Sequence, residues 1–333
     1  MRNPNHSQRA GQALVIMVSA VVILVVVAAL TIDIGQLIFS RARLQNASDA
    51  AALAAAHELV LRRDAGVTET NARTAAAAEA FNLVQLNWIA PRAEVYFGKY
   101  ESGQFTPMDE SYTASAIKVI TFRDDLAPGG PVGAVFGSMM GIDELSIEGA
   151  AVSQLARGIT AITGDLRPFA VHKDDIKPAG QIFRIPLGNW TVSEDGEEIA
   201  PGNFGLLNLN GGALGTDELI TWIQNGYDGT CSIDPDVGYT WIPGTCGVRQ
   251  AIVSEIEALI GQMVFVCVYD MVTGEGSNAT FRIIWFAGGI IRDIKFAGPN
   301  SYIEVEMVRL SYVPQAEVGD VPDSNLVKIQ LVQ

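Results

Sequence analysis

Twenty consecutive residues without a charged side chain, Ala13 to Ile32, follow a short polar stretch at the start of the chain. A helix rises about 1.5 Å per residue, so a helix of this length spans roughly the 30 Å hydrocarbon core of a bilayer. The helical spacing continues through an alanine-rich segment, Leu44–Val60, and residues 64–66 predict its end. The pattern therefore predicts a transmembrane helix that extends into an alanine-rich stalk helix.

The same apolar run has a second interpretation, a cleaved signal peptide. The apolar core of a signal peptide is usually about 7–15 residues long and ends at a small-residue site. The run from Ala13 to Ile32 is longer, and a helical pattern follows it directly. We therefore expect an anchor that is not removed.

Arginines lie on both sides of the run: Arg2 and Arg9 precede it, and Arg41 and Arg43 follow it. The positive-inside count is nearly balanced and does not decide the orientation. The short N-terminal arm and the long acidic remainder favour an N-terminus inside the cell and a C-terminal part outside.

Beyond the stalk, a second helix is predicted over residues 69–86. From Glu94 the pattern changes to a period of two, which predicts strands at 94–101, 116–123 and 144–156. These strands form a small antiparallel sheet that can pack on the two helices. The segment 131–141 between them is predicted to be a short helix or a buried turn.

The rest of the chain consists mostly of strand patterns separated by Gly and Pro, so the predicted fold class is α+β. We expect a fragment that starts near Glu94 to be soluble without detergent. The predicted parts are a cytoplasmic arm (1–12), a transmembrane helix (13–32), a helix with a small antiparallel sheet (33–157) and a mostly-β exterior domain (158–333).

Charge excludes one class of partner. The 333 residues carry a formal net charge of −15 with only 22 Lys and Arg. Nucleic-acid binding needs a basic surface that neutralises phosphates, and the chain has no basic stripe. We therefore predict no nucleic-acid partner.

The three cysteines lie in the distal part. Cys231 and Cys246 flank a loop rich in Gly and Pro, and in an oxidising compartment a disulfide between them would stabilise the fold by about 3 kcal/mol. Two free thiols are the alternative. Cys267 lies in an apolar run and is interpreted as a small buried residue. Neither pair has metal-ligand spacing, and no histidine is near them.

Candidate chemistry is sparse. His172 is the one histidine in the distal part, and we interpret it as a solvated loop residue. No motif for a nucleophile, a phosphate loop or a catalytic zinc occurs, so we predict no enzymatic activity and no cofactor. Asp234 and Asp236 have the alternate spacing of calcium ligands, but further ligands are missing, which favours a simple Asx turn.

Three tryptophans suggest a different function. Trp190, Trp222 and Trp241 lie in loops rich in Gly, where exposed aromatic faces can stack on sugar rings. A polysaccharide- or ligand-binding module of the cell envelope is therefore the alternative hypothesis.

The N-terminal residues resemble the start of TadE/TadG-like proteins of the tight-adherence (Flp) pilus assembly system. The shared pattern is Gly11 before the apolar span, Asp33 and Gly35 after it, and Arg41 to Arg43 before the alanine-rich segment. The resemblance is clear over residues 11–60, moderate over 92–156 and loose over 200–330.

This resemblance implies a pilin-like, single-pass structural protein of the bacterial inner membrane, with its C-terminal part periplasmic or extracellular. Its partners would be the lipid bilayer and other pilus-assembly or pilin-like proteins, bound through helix 13–60. Two features depart from the family. Ile16 stands where prepilins carry a glutamate, which favours a retained anchor over a cleaved fibre subunit. The D-x-S-x-S metal site of some members is missing from this sequence.

Overall fold

The computed structural model shows a protein built around one long N-terminal helix. Helix α1 runs from Asn5 to Asp64, a length of about 90 Å at 1.5 Å per residue. The structure describes residues 5–87, 91–187, 190–192, 198–201, 204–212, 215–246, 250–274, 278–296, 301–308, 311–319 and 325–332.

Four α-helices are found within these ranges: α1, α2 (Glu69–Asn87), α3 (Thr216–Asn225) and α4 (Val253–Glu257). The strands are β1 (Arg92–Glu101), β2 (Gln104–Pro107), β3 (Ala116–Arg123), β4 (Val132–Gly133), β5 (Glu144–Leu145), β6 (Ile147–Ala156), β7 (Ile159–Thr163), β8 (Leu166–His172), β9 (Ile182–Pro186), β10 (Trp190–Val192), β11 (Glu198–Pro201), β12 (Phe204–Leu207), β13 (Thr230–Ser232), β14 (Thr240–Cys246), β15 (Met263–Thr273), β16 (Ala279–Lys295), β17 (Tyr302–Met307), β18 (Ser311–Tyr312), β19 (Ala316–Val318) and β20 (Leu326–Val332).

The α+β class predicted from the sequence is confirmed. Among the described helices, α1 is the one long and apolar enough to cross a membrane. It ends at Asp64, within the predicted stop, because Gly66 takes the left-handed conformation that interrupts a helix (φ 72°). Helix α2 follows after a short turn, as the pattern predicts.

The first sheet has the strand order β18-β20-β6-β3-β1-β2. It packs against α1 and α2, and alanines on both helices allow the close approach. The three predicted strands are present as β1, β3 and β6. The sheet also contains β20, which pairs antiparallel with β6. A strand from the far end of the described chain therefore completes the sheet nearest to the stalk, and the predicted boundary at residue 157 stays a prediction.

The distal part is organised around a ring of five strands. Strands β14, β12, β8, β15 and β16 pair in that order, and β14 also pairs with β16, which closes the ring. The aromatic side chain of Phe281 lies inside the five-strand ring. A Cβ on Gly205 would lie 2.4 Å from Phe281, and one on Gly244 would lie 2.9 Å from it, so the packing requires glycine at both positions.

Smaller elements cover this ring. Helices α3 and α4 pack on one side of the sheet, and β17 and β9 extend it beyond β16. The side chain of Asn325 joins β20 to the ring, because its amide donates to the carbonyls of Gly288 at 2.7 Å and Val308 at 2.9 Å. The two sheets are thus held together at the start of β20.

The predicted disulfide between Cys231 and Cys246 does not form in the structure. Cys231 lies opposite Ile162 in a three-stranded sheet, whereas Cys246 lies opposite Gly205 in the five-strand ring. The Cys231 thiol instead contacts Cys267. Burial raises the pKa of the Cys267 thiol, and the hydrogen bond with Cys231 raises it further. The interpretation of Cys267 as a buried residue is confirmed.

Candidate functional site

Asp33, the first charged residue after the apolar run, holds a loop between β3 and β6 against α1. Its Oδ1 accepts a hydrogen bond from the Val135 N–H at 2.9 Å, and its Oδ2 accepts from the Phe136 and Gly137 N–H groups at 2.9 and 2.7 Å. Hydrogen bonds to a charged acceptor are roughly twice as strong as neutral ones. We call residues 131–145 the exit loop, because Asp33 fixes them at the end of the apolar run.

The exit loop has a compact shape of its own. Strands β4 and β5 pair across its two ends, and a 3₁₀ turn, Gly137–Met140, lies between them. A Cβ on Gly137 would lie 2.8 Å from the Cβ of Ala134. Gly141 ends the turn with φ at +79°, a conformation that favours glycine. Both glycines are therefore needed to present three N–H groups to Asp33.

The other residues of the anchor motif also lie on α1. Gly35 is exposed, and a Cβ there would meet no atom within 4 Å, so no contact within the described chain requires this glycine. Arg41 and Arg43 are exposed, and the guanidinium of Arg43 lies 4.6 Å from the centre of the Phe39 ring. The surroundings of Gly11 lie outside the described side chains.

Further along, α1 packs on the sheet through a close contact at Gly149. A Cβ there would lie 2.7 Å from the carbonyl carbon of Leu44. Buried hydroxyls fix the same contact: Ser48 and Thr121 are hydrogen-bonded at 2.8 Å, and Ser48 donates to the Gly149 carbonyl at 3.0 Å. Ser153 donates to an α1 carbonyl at 2.7 Å. The helix and sheet therefore form one packed unit.

The turn between α1 and α2 is fixed by Glu69. Arg63 donates to both carboxylate oxygens, at 2.9 and 2.6 Å, and Arg73 donates to Oε1 at 2.9 Å. The Ala114 N–H also donates to Oε1, at 3.1 Å. Burial raises the pKa of Glu69, but the hydrogen bonds from Arg63, Ala114 and Arg73 outweigh burial, so the net effect lowers the pKa.

The helix surface predicted to bind partners, residues 13–60, divides into two parts. Between Leu44 and Val60 the apolar face is buried by α2 and the chain's own sheet. From Leu14 to Phe39 the exposed large apolar side chains leave 47–71% of their surface open. The predicted contact surface, residues 13–60, stays a prediction, and its exposed apolar part is Leu14–Phe39.

The weak calcium candidate forms a turn. The Asp236 N–H donates to the Asp234 carboxylate at 2.9 Å, and the Gly238 N–H donates to the Asp234 carbonyl at 2.8 Å. This is the Asx turn that the sequence favours. In the described part of the chain, no three His, Cys, Asp or Glu side chains are grouped closely enough to hold a metal ion.

Trp222, a candidate for sugar stacking, and His172, the one histidine of the distal part, are both buried. Trp222 is 4% exposed and packs edge-on against Tyr227, so its faces do not reach a sugar. Trp241 is 40% exposed, and the side chain of Trp190 lies outside the described residues. His172 is 3% exposed and packs on Tyr269. The interpretation of His172 as a solvated loop residue is therefore wrong; burial lowers its pKa.

Comparison with known proteins identifies the segment that contains Asp33. Residues 11–58 match the Tad family, the TadE/G-like Flp pilus-assembly domain. The Tad segment thus covers the apolar run, the anchor motif and most of the alanine-rich stalk. The family resemblance predicted from the sequence is confirmed for these residues. A search of curated proteins found no match, and a search of solved structures found none either.

Sequence reasoning selected Asp33 as a motif residue but missed the loop that it binds. The exit loop lies more than 100 positions away in the chain. The exit loop binds Asp33 through backbone N–H groups, which every residue except proline has, so the residue types do not reveal this contact. The one available signal was the paired glycines at 137 and 141, which mark a tight turn in an otherwise apolar segment.

Proposed function

We propose that the protein is a non-catalytic, pilin-like structural component of a bacterial Tad-type pilus-assembly or cell-envelope system. In this proposal α1 crosses the inner membrane once, with its N-terminus inside, and residues from about Ser40 onward lie on the periplasmic or extracellular side. No cofactor takes part. The distal domain is exterior and its ligand, if it binds one, is not assigned.

The observation that carries this proposal is the continuity of α1. The exposed apolar part, Leu14–Phe39, passes without a break into Leu44–Val60, which forms the core of the first sheet. The match to the pilus-assembly family covers the first part and most of the second. A helix shared by the bilayer and a packed core fixes the exterior unit relative to the membrane, as a structural component requires.

The alternative, a polysaccharide-binding module, has less support. It depends on exposed aromatic faces, and Trp222, one of its three candidates, is buried. A secreted enzyme has still less support, because it would need His172 in an exposed cleft, and His172 is buried against Tyr269.

Cell fractionation and counts of surface pili test the proposal together. We expect the full chain to stay in membranes washed with alkaline carbonate, and a variant without residues 5–39 to leave them. Deleting the gene should abolish surface pili seen by electron microscopy, and the full chain should restore them. Normal piliation of the deletion strain would refute the pilus function. If the full chain in the undeleted strain also resists the carbonate wash, the membrane anchor still stands.

A matched replacement separates anchoring from partner binding. Exchanging residues 14–32 for an unrelated apolar helix of the same length keeps membrane attachment, since length and hydropathy determine insertion. We expect this variant to remain membrane-bound but to lose piliation, because the proposed partners contact this surface. Full piliation would show that the helix acts as a membrane anchor alone.

A further inference from the structure

The exit loop carries exposed apolar side chains beside the end of the membrane-spanning segment. Resting on the membrane anchoring proposed above, we propose that this loop is a second membrane contact, inserted into the interfacial layer of the exterior leaflet. The contacting side chains are Val135, Ile142 and Leu145. The occupant of this surface is the lipid bilayer itself.

Depth along α1 supports this placement. The helix shows exposed apolar residues from Leu14 to Phe39, a length of about 39 Å at 1.5 Å per residue. That exceeds the roughly 30 Å hydrocarbon core by about 9 Å, so with Leu14 at the inner edge of the core the apolar surface continues into the exterior headgroup layer. Asp33 lies about 29 Å from Leu14 along the helix, at the outer edge of the core. A loop bound to Asp33 therefore lies at the level of the headgroups.

The exposed apolar surface of α1 continues past Asp33. Ile34 is 47% exposed, Ile38 is 63% exposed and Phe39 is 58% exposed. Arg41 is the first exposed arginine after them, about 12 Å beyond Asp33. Basic side chains mark the membrane–water boundary in anchored helices. The loop held by Asp33 therefore lies below this boundary, on the membrane side.

The exit loop exposes apolar side chains, as insertion into the interfacial layer requires. Val135 is 58% exposed, Ile142 is 49% exposed and Leu145 is 36% exposed. The preceding turn adds Leu126, which is 77% exposed. The Asp33 hydrogen bonds place Val135, the most exposed of the three loop residues, beside the exposed apolar surface of α1.

Asp33 itself fits this environment. A carboxylate near the hydrocarbon edge is costly unless its oxygens are satisfied, and three N–H groups satisfy them. Asp143 and Glu144 in the same loop are exposed, so anionic headgroups do not attract it. Burial of apolar side chains in the interface, rather than charge, therefore holds the loop.

Spin labels at matched positions test the depth of the loop. Val135→Cys, Leu24→Cys and Val237→Cys are made in the full chain with Cys246→Ser, labelled with a nitroxide and reconstituted in phosphatidylcholine vesicles. The sites are similarly exposed, at 58, 70 and 54%, so labelling disturbs the fold little. Collisions with oxygen, which concentrates in lipid, are compared with collisions with a polar nickel complex. The unsubstituted Cys246→Ser protein controls for labelling of buried cysteines.

We expect a lipid-like ratio of oxygen to nickel collisions at Leu24, a water-like ratio at Val237, and at Val135 a ratio several-fold higher than at Val237. A ratio at Val135 equal to that at Val237, with Leu24 in lipid, would overturn this inference and leave the anchor intact. A water-like ratio at Leu24 would instead refute membrane anchoring, and the loop contact with it.

Discussion

The carboxylate of Asp33 accepts hydrogen bonds from the N–H groups of three consecutive residues at the end of the apolar run. Replacing Asp33 with Ala removes the two oxygens that accept from Val135, Phe136 and Gly137. Each unsatisfied donor costs about 1–3 kcal/mol when water does not replace the acceptor. We expect the amide hydrogens of residues 135–137 to exchange at least tenfold faster in Asp33→Ala, measured by hydrogen–deuterium exchange and mass spectrometry.

Two controls make this measurement specific. Asp33→Asn keeps one acceptor oxygen and should give an intermediate exchange rate. Asp143→Ala changes an exposed acid of the same loop and should leave the rates unchanged. Equal acceleration in Asp33→Ala and Asp143→Ala would show that the carboxylate of Asp33 does not hold the loop.

Gly149 is the residue at which α1 comes closest to the sheet. Gly149→Ala puts a Cβ 2.7 Å from the Leu44 carbonyl carbon, and overpacking of this kind typically costs about 1–3 kcal/mol. We expect the thermal midpoint of the full chain in detergent, followed by circular dichroism, to fall by several degrees.

Gly133 gives the matched control for that substitution. A Cβ at Gly133 meets nothing within 4 Å, so Gly133→Ala should leave the midpoint almost unchanged. If the two variants melt at the same temperature, the close contact between α1 and β6 is not part of the stable fold.

The sequence identified individual residues of the family pattern, but it did not predict which atoms those residues contact. The resemblance selected Asp33 and Gly35 together, yet Asp33 binds a distant loop, whereas a Cβ at Gly35 would meet no described atom within 4 Å outside its own stretch of helix. Nothing in a local pattern distinguishes them, because the deciding atoms are backbone N–H groups far away in sequence. His172 was misjudged for a similar reason: its burial depends on Tyr269, about a hundred residues later.

At the scale of elements, Glu69 makes the turn between α1 and α2 sensitive to pH. The lowered pKa of Glu69 in the folded state stabilises the fold above the ordinary glutamate pKa, and this contribution is lost as pH falls through the lowered value. We expect Glu69→Gln to reduce the unfolding free energy by about 2 kcal/mol at neutral pH. Below about pH 4 the difference between wild type and Glu69→Gln should shrink towards zero.

Glu58 serves as the control for charge. Its pair with Arg62 is a surface i, i+4 contact in which Arg62 is 51% exposed, and such pairs contribute about 0.3–0.5 kcal/mol. Urea denaturation across the pH range should therefore show little change for Glu58→Gln. A pH profile of Glu69→Gln parallel to that of wild type would contradict the assigned contribution of Glu69.

Helices and strands with a regular pattern were predicted well. The ends of α1 and α2 and the positions of β1, β3 and β6 follow from apolar spacing and glycine stops. Strand β20 was missed. It pairs with β6 although the whole distal part lies between them in sequence, and the local spacing of apolar residues does not predict so distant a partner. The predicted disulfide is absent, and the Cys231 thiol contacts Cys267 instead, a contact that the spacing of Cys231 and Cys246 along the chain does not reveal.

At the scale of the whole molecule, the packed unit around the first sheet does not begin at Glu94. Ala51 and Ala55 of α1 and Ala76 of α2 lie in the same buried cluster as Ile117 and Leu155 of the sheet. A fragment starting at Glu94 loses both helices and exposes this apolar face, so we expect it to aggregate, contrary to the expectation from the sequence. A fragment starting at Ser40, the first residue of the buried part of α1, should be monomeric without detergent in size-exclusion chromatography.

The two fragments share the distal part, so the comparison tests the contribution of the helices alone. A monomeric, cooperatively melting fragment from Glu94 would show that the sheet needs neither helix. Aggregation of both fragments would show that the stalk unit requires the segment before Ser40 as well.

Because β20 closes the sheet that rests on the stalk helix, the order of synthesis constrains how this protein matures. The ribosome produces α1 first, yet β6 keeps one unpaired edge until the entire distal part has emerged and β20 follows it. An open strand edge recruits other strands, so the growing chain is prone to wrong strand pairing until β20 has been made. Completion of the first sheet thus requires translation to reach β20, and a chain truncated before β20 keeps an open edge on β6.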